Sequence, residues 1–161
     1  MARSDYKFSF PFRIRYSEID GQKIVFNAHY LTFFDTAVTE YFRALPHDYQ
    51  AEADRTGMDF HTVKSLVEYK KPIEFDEEID VYVRTGRIGR TSLRFDLEIH
   101  GREVEGPNIG APNMGAPDGG EDLRATGEVV WVHTNQATHK SEQLPEELCA
   151  KVIALDGDVA D

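Results

Sequence analysis

The stretch from Ala28 to Leu45 constrains the fold more than any other part of this chain. At about 100° per residue, Tyr30, Leu31, Phe33, Phe34, Ala37, Val38, Tyr41, Phe42, Ala44 and Leu45 fill one arc of about 180°. His29, Thr32, Asp35, Thr36, Thr39, Glu40 and Arg43 fill the remainder. So broad an apolar face predicts a helix partly enveloped by its neighbours. Asn27 is a strong N-cap type and places the helix start at about Ala28, while Pro46 ends it.

Period-two segments supply the envelope. Phe8, Phe10, Phe12, Ile14 and Tyr16 alternate with polar residues, the signature of a strand with one buried face, and Pro11 makes it an edge or irregular strand at that point. A short helical piece around His47 to Arg55 leads to Gly57. The next strand runs from His61 to Lys70, with Val63, Ser65, Val67 and Tyr69 on one face. Ile79, Val81 and Val83 mark another. Gly86 to Gly89 reads as a turn, and Leu93, Phe95, Leu97 and Ile99 then alternate with Arg94, Asp96, Glu98 and His100, so the two strands form a hairpin. Residues 101–122 are a Gly/Pro-rich break in which Asn108-Ile-Gly-Ala-Pro112 is followed by Asn113-Met-Gly-Ala-Pro117, read as a long loop with a small internal duplication. Leu123 to Thr134 is the last strand, central because of Val129-Val-Trp-Val132, and Pro145 to Ala154 is a short terminal helix. The order β, long α, short α, four strands, short α predicts an α+β fold in which an antiparallel sheet curls around the long helix. Residues 1–161 are expected to form a single domain.

Charge narrows the partners. The net charge is −11, which argues against nucleic acid, because neutralising phosphates needs clustered Lys and Arg. The middle of the chain is the exception: residues 61–102 carry 8 basic and 8 acidic groups, against 3 and 12 in 103–161. An anionic cofactor would dock in that middle third. The start Met-Ala-Arg-Ser-Asp has no apolar h-region, no apolar run approaches about 18 residues, and the lone Cys149 suits a reducing compartment; a cytoplasmic protein with no membrane partner is expected. Cys149 itself reads as inert packing.

The chemistry centres on Asp20, a carboxylate just ahead of the long helix. A carboxylate there can act as a nucleophile or as a base toward water, and the first N–H groups of the helix, near Asn27 and Ala28, together with its positive end, can stabilise an oxyanion. Asp20-Gly21 is also a favoured hairpin turn that Ile19 and Ile24 could flank. Glu18 reads as a solvated neighbour. No G-x-S-x-G elbow, P-loop or G-x-G-x-x-G is present, and the six histidines include no H-x-x-x-H pair. Glu98 and His100 are too few for a metal site and read as surface alternation; no metal and no cofactor are expected.

Arg15-Tyr-Ser-Glu-Ile-Asp20, the spacing of Asn27 and Tyr30, Glu68-Tyr-Lys-Lys-Pro-Ile73 and Arg87-Ile-Gly-Arg-Thr-Ser92 together resemble the hotdog-fold thioesterases of the 4-hydroxybenzoyl-CoA thioesterase type, over roughly residues 6–135. The resemblance implies an acyl-CoA thioesterase with Asp20 as the catalytic carboxylate in a D-x-x-G-x-V-x-[HNY]-x-x-Y pattern. Asn27, Ala28 and Tyr30 then fall at the oxyanion and substrate-binding positions. It also implies a homodimer or homotetramer with sites at subunit interfaces, coenzyme A being part of the substrate. Lys23 departs from the pattern, which usually has glycine there. Lys64, Arg87 and Arg90 are the candidates for the coenzyme A phosphates, with Lys70, Lys71 and Arg94 as further cations. Two other readings stay open: a thioesterase for acyl chains on acyl carrier protein, and a hotdog module that binds acyl-CoA without turning it over. A related hydratase fits less well, because His29 lies nine residues after Asp20 instead of on a tight D-x-N-x-x-H pattern.

Overall fold

The computed structural model describes residues 3–102, 122–157 and 159. Residues 103–121, which include the duplicated pentapeptide, lie outside them. The elements are β1 (Phe8–Arg13), α1 (His29–Ala44), α2 (Tyr49–Thr56), β2 (Met58–Tyr69), β3 (Glu78–Ile88), β4 (Ser92–Gly101), β5 (Leu123–Asn135) and α3 (Glu146–Asp156). Short 3-10 turns form at Arg3–Asp5 and Tyr16–Glu18. All the strands join one antiparallel sheet in the order β1-β3-β4-β5-β2. The fold is α+β, with α1 against one face of that sheet.

The apolar arc of α1 explains why. Phe33, Phe34, Ala37, Val38, Tyr41 and Phe42 are almost completely buried against inward residues such as Val81, Val83, Phe95, Leu97 and Trp131. Phe42 stacks on Trp131 with ring centroids 5.4 Å apart. Burying side chains of this kind contributes about 1.5–3 kcal/mol each, so the helix is fixed by packing more than by propensity. The arc is narrower than the periodicity predicts, since Leu31 (42% exposed) and Ala44 stay at the surface. At the next junction Asp48 caps α2 by accepting from the Ala51 N–H at 2.9 Å, and Gly57 closes it in the left-handed region at φ 74°.

Four local expectations are corrected. β1 ends at Arg13, and Tyr16 is 79% exposed in the following 3-10 turn instead of completing a buried strand face. β2 has a bulge between Thr62 and Lys64, so the alternation breaks and Val63 is 61% exposed. Gly86 is not in a turn: β3 runs through it to Ile88 with a bulge between Thr85 and Arg87, and the tight turn is closed by Gly89 N–H donating to Ser92 O at 2.8 Å. Glu98 and His100 are buried, not surface alternation. His100 Nε2 lies 2.8 Å from Glu98 Oε2, and Tyr82 sets its ring edge-on to His100 with Tyr6 edge-on beyond it, covering that side of the sheet.

The two sheet edges differ. Pro11 blunts β1, whereas β2 is twelve residues long, contains no proline and leaves Val63, Leu66 and Tyr69 exposed.

Candidate active site

The Asp-Gly pair does form a hairpin turn, and that turn is what presents the carboxylate. Ile19 bridges Val25, the Asp20 N–H donates to Ile24 O at 2.9 Å, and the Lys23 N–H donates back to Asp20 O at 2.9 Å. Asp20 Oδ1 accepts the Gln22 N–H at 2.8 Å, which orients the carboxylate; Oδ2 has no hydrogen-bond partner among the described residues. Lys23 sits in the left-handed region at φ 63°, so the glycine of the family pattern is explained by the turn itself. The hairpin is tied down by Val25 N–H to Ile73 O at 2.8 Å and Phe26 N–H to Glu18 O at 2.9 Å. Glu18 is buried instead of solvated, because its Oε1 accepts from the Arg15 backbone N–H at 2.7 Å and closes the 3-10 turn.

The helix begins one residue later than the N-cap type predicts, and Asn27 does not cap it. Ala28 occupies the cap position in a right-handed helical conformation, and no side chain bonds to the first turn. The chain enters through a tight turn instead: His29 N–H donates to Phe26 O at 3.0 Å and Tyr30 N–H to Asn27 O at 3.4 Å. The Asn27 carbonyl also accepts the Tyr69 hydroxyl at 3.0 Å. The N–H groups of Asn27 and Ala28 have no acceptor among the described residues. They stand free at the positive end of α1.

These parts line one cleft of about 330 Å³, shared by Asp20, Gln22, Asn27, Tyr30, Tyr69, Lys70 and Lys71. Tyr30 is buried beneath it, edge-on to Tyr69 at 4.8 Å; burial, with Tyr69 adding to it, pushes its hydroxyl up to about 12, so it keeps its proton at neutral pH. A second cavity, about 350 Å³, lies between Thr39, Phe42, His47 and Tyr49. Its lining includes Asp48, whose Oδ1 caps α2 by accepting from the Ala51 N–H.

The floor beside the cleft is an ion network that sequence reasoning missed. Arg124 is buried, grips Glu77 through two N–H groups at 2.8 and 3.0 Å, and donates to Asp122 at 2.7 Å and to Pro72 O at 2.8 Å. Its backbone carbonyl accepts the Lys70 and Lys71 N–H groups, and Lys71 Nζ lies 3.0 Å from Asp122. Burial works against the charge on Arg124, but the two carboxylates outweigh it and raise its pKa. Burial likewise opposes ionisation of Asp122, yet hydrogen bonds from Arg124 and Lys71 hold it below the usual carboxylate range. An arginine in the otherwise mostly uncharged strand β5 was the available signal.

The cations expected for phosphate are only partly gathered. Lys70 and Lys71 line the cleft. Lys64 does not; it lies five residues before Tyr69 along β2 and pairs with Glu128 at 2.6 Å. Arg87 and Arg90 are exposed at the β3–β4 end, about 30 Å along the sheet from the end of β3 that Asp20 adjoins. Arg94 is held by Asp96 at 3.0 Å. Among the described residues no group of three His, Cys, Asp or Glu side chains could hold a metal ion. No helix among them is long and apolar enough to cross a membrane.

Residues 22–106 match the family model of the thioesterase superfamily, a stretch that begins two residues after Asp20 and takes in Asn27, Ala28, Tyr30, Lys70 and Lys71. The chain belongs to the thioesterase superfamily. Within this superfamily it is similar to the acyl-CoA thioester hydrolase YbgC of Escherichia coli O6:H1, 31% identical over 97 residues that cover 60% of this chain and 71% of that one. Solved structures share the fold across nearly the whole chain. The 1,4-dihydroxy-2-naphthoyl-CoA thioesterase of Synechocystis superposes with a TM-score of 0.74 at 14% identity, covering 92% of this chain and 97% of that one. A Staphylococcus aureus protein solved in complex with CoA gives 0.76 at 16% identity, covering 96% and 86%. The hotdog arrangement expected from the sequence is therefore the fold of this superfamily member.

Proposed function

We propose that this thioesterase hydrolyses acyl-CoA to a carboxylate and free coenzyme A, with Asp20 as the reacting carboxylate. The observation that carries this reading is one cleft lined by both Asp20, whose Oδ2 is unpaired among the described residues, and Asn27, whose carbonyl shares a peptide unit with the unpaired Ala28 N–H. A thioester carbonyl placed between them is attacked from the carboxylate side, either by Asp20 directly or by a water that Asp20 deprotonates. The negative charge gathering on the carbonyl oxygen is met by the Ala28 N–H and the positive end of α1. The coenzyme A thiolate then leaves and takes up the proton that the consumed water gives to Asp20; on the direct route the acyl-Asp20 anhydride forms first, and water cleaves it to the free carboxylate and restores Asp20. The relatives named for acyl-CoA and the fold relative solved with CoA support that substrate class over a carrier protein. So does charge, because a carrier protein is acidic and would meet a chain of net charge −11.

Lys70 and Lys71 are the cations placed to meet the coenzyme's phosphates within one chain. Arg87 and Arg90 fit that role only from a second subunit. The long unblunted edge of β2, with Val63 and Leu66 exposed, is the surface suited to pairing two copies. The mechanism needs no metal and no cofactor beyond the coenzyme in the substrate.

The deciding experiment is thiol release from a panel of short, long and aromatic acyl-CoAs by the wild type and by Asp20→Asn. Loss of about 10²–10⁴-fold in kcat with an unchanged circular dichroism spectrum supports the assignment. Wild-type turnover in the variant removes Asp20 from the chemistry, and CoA binding without thiol release would favour the non-catalytic module.

A further inference from the structure

We infer that Tyr69 is a positioning residue for the oxyanion donor: its hydroxyl bond to the Asn27 carbonyl orients and polarises the peptide group that carries the Ala28 N–H. This rests on the reading of Ala28 given above. The Asn27 C=O and the Ala28 N–H belong to one planar peptide unit, so whatever fixes the carbonyl fixes the direction of the N–H. Tyr69 O–H reaches that carbonyl at 3.0 Å, while the other donor to it among the described residues, the Tyr30 N–H, stands at 3.4 Å.

The bond has an electronic consequence as well. A donor on a carbonyl oxygen draws electron density from the amide nitrogen, and the N–H of the same unit becomes a stronger donor. Helix starts often have a capping side chain that organises the first turn, and α1 has none. Tyr69 supplies the restraint from outside the helix, from the last residue of β2. Its ring is fixed by its edge-on contact with Tyr30 at 4.8 Å and by strand pairing with Ala125. The chain thus ties the sheet to the peptide that carries the Ala28 N–H.

The test uses the full-length protein and Tyr69→Phe, which keeps the ring and its contact with Tyr30 and removes only the hydroxyl. Two readouts are taken. The first needs no substrate: the Ala28 amide ¹⁵N and ¹H resonances should both move upfield in Tyr69→Phe, while residues in the middle of α1 stay in place. The second is kinetic: kcat on an acyl-CoA should fall about tenfold with KM within about twofold, because an indirectly weakened donor loses less than a deleted one. An unmoved Ala28 amide, an unchanged kcat, or a rise in KM with kcat preserved each overturns the inference, the last by making Tyr69 a substrate contact. If the wild type releases no thiol, the proposed function fails by itself and the amide shift alone decides the positioning role.

Discussion

Phe34 lies directly over Gly127: a methyl carbon on residue 127 would stand 2.1 Å from Phe34 Cε2. The Phe34 side chain of α1 meets β5 at this glycine, and the ring that fills the space is fully buried. Gly127→Ala should therefore destabilise the fold by about 1–3 kcal/mol through overpacking, read as a lower urea midpoint at unchanged slope. Adding Phe34→Leu should restore part of the loss, because the two changes share one space. An additive double variant would show that the helix shifts as a body instead.

The Arg124 network predicts a pH dependence with a definite sign. Asp122 has a folded pKa below its ordinary value, so its contribution to stability is present above that ordinary value and is lost as the pH falls through the folded one. Wild-type stability should drop on acidification below about pH 4, and Asp122→Asn should flatten that drop in urea melts taken between pH 5 and pH 3. A slope unchanged by the substitution would place the acid sensitivity in other carboxylates.

Removing the cation of the same network should cost far more than removing one of its anions. Arg124→Ala leaves Glu77 and Asp122 facing each other without compensation in a buried setting, and a loss of about 3–5 kcal/mol is expected at neutral pH. Chemical denaturation measures it. A loss under about 1 kcal/mol would mean that solvent enters the network freely.

Subunit complementation tests where the phosphates are held. Lys70→Ala with Lys71→Ala should raise KM for acyl-CoA more than it lowers kcat, and added salt should weaken wild-type binding. If Arg87 and Arg90 act across an interface, a chain carrying Asp20→Asn mixed with one carrying Arg87→Ala and Arg90→Ala should regain sites with the wild-type KM. Each single-type assembly should remain impaired. Mixtures that show only the average of the two parents would confine these arginines to some other role.

Assembly itself is open to a direct measurement. Light scattering at micromolar concentration should give at least twice the chain mass, and acidic substitutions at Val63 and Leu66 should reduce it while lowering activity. A fully active wild-type monomer would detach catalysis from the β2 edge.

Elements with a strong period were legible in the sequence, and features set by contacts between distant segments were not. The α1 stripe, an edge or irregular strand at Pro11, the interior place of β5 and a short helix ahead of Gly57 follow from local chemistry that the packing leaves intact. The bulges in β2 and β3 do not, because an inserted residue changes which side chains face inward without leaving a local mark. Asn27 illustrates the same limit at the site: its residue type favours a cap, but the bond from Tyr69, 42 residues away, goes to its backbone and the turn before the helix is set by other bonds. His100 sat on the polar row of an alternating segment, and nothing local foretold that Tyr82 would cover it.

Lys23 turns the departure from the family pattern into a practical handle. Its left-handed backbone costs roughly 1–2 kcal/mol relative to an unstrained residue, part of which Lys23→Gly would recover while adding chain entropy to the unfolded state. The lysine as it stands is exposed, and it is three residues from Asp20 on a turn pinned by backbone hydrogen bonds. A dye attached at this position would be anchored by a fixed backbone beside the cleft, and its brightness would report the arrival and departure of whatever fills the space.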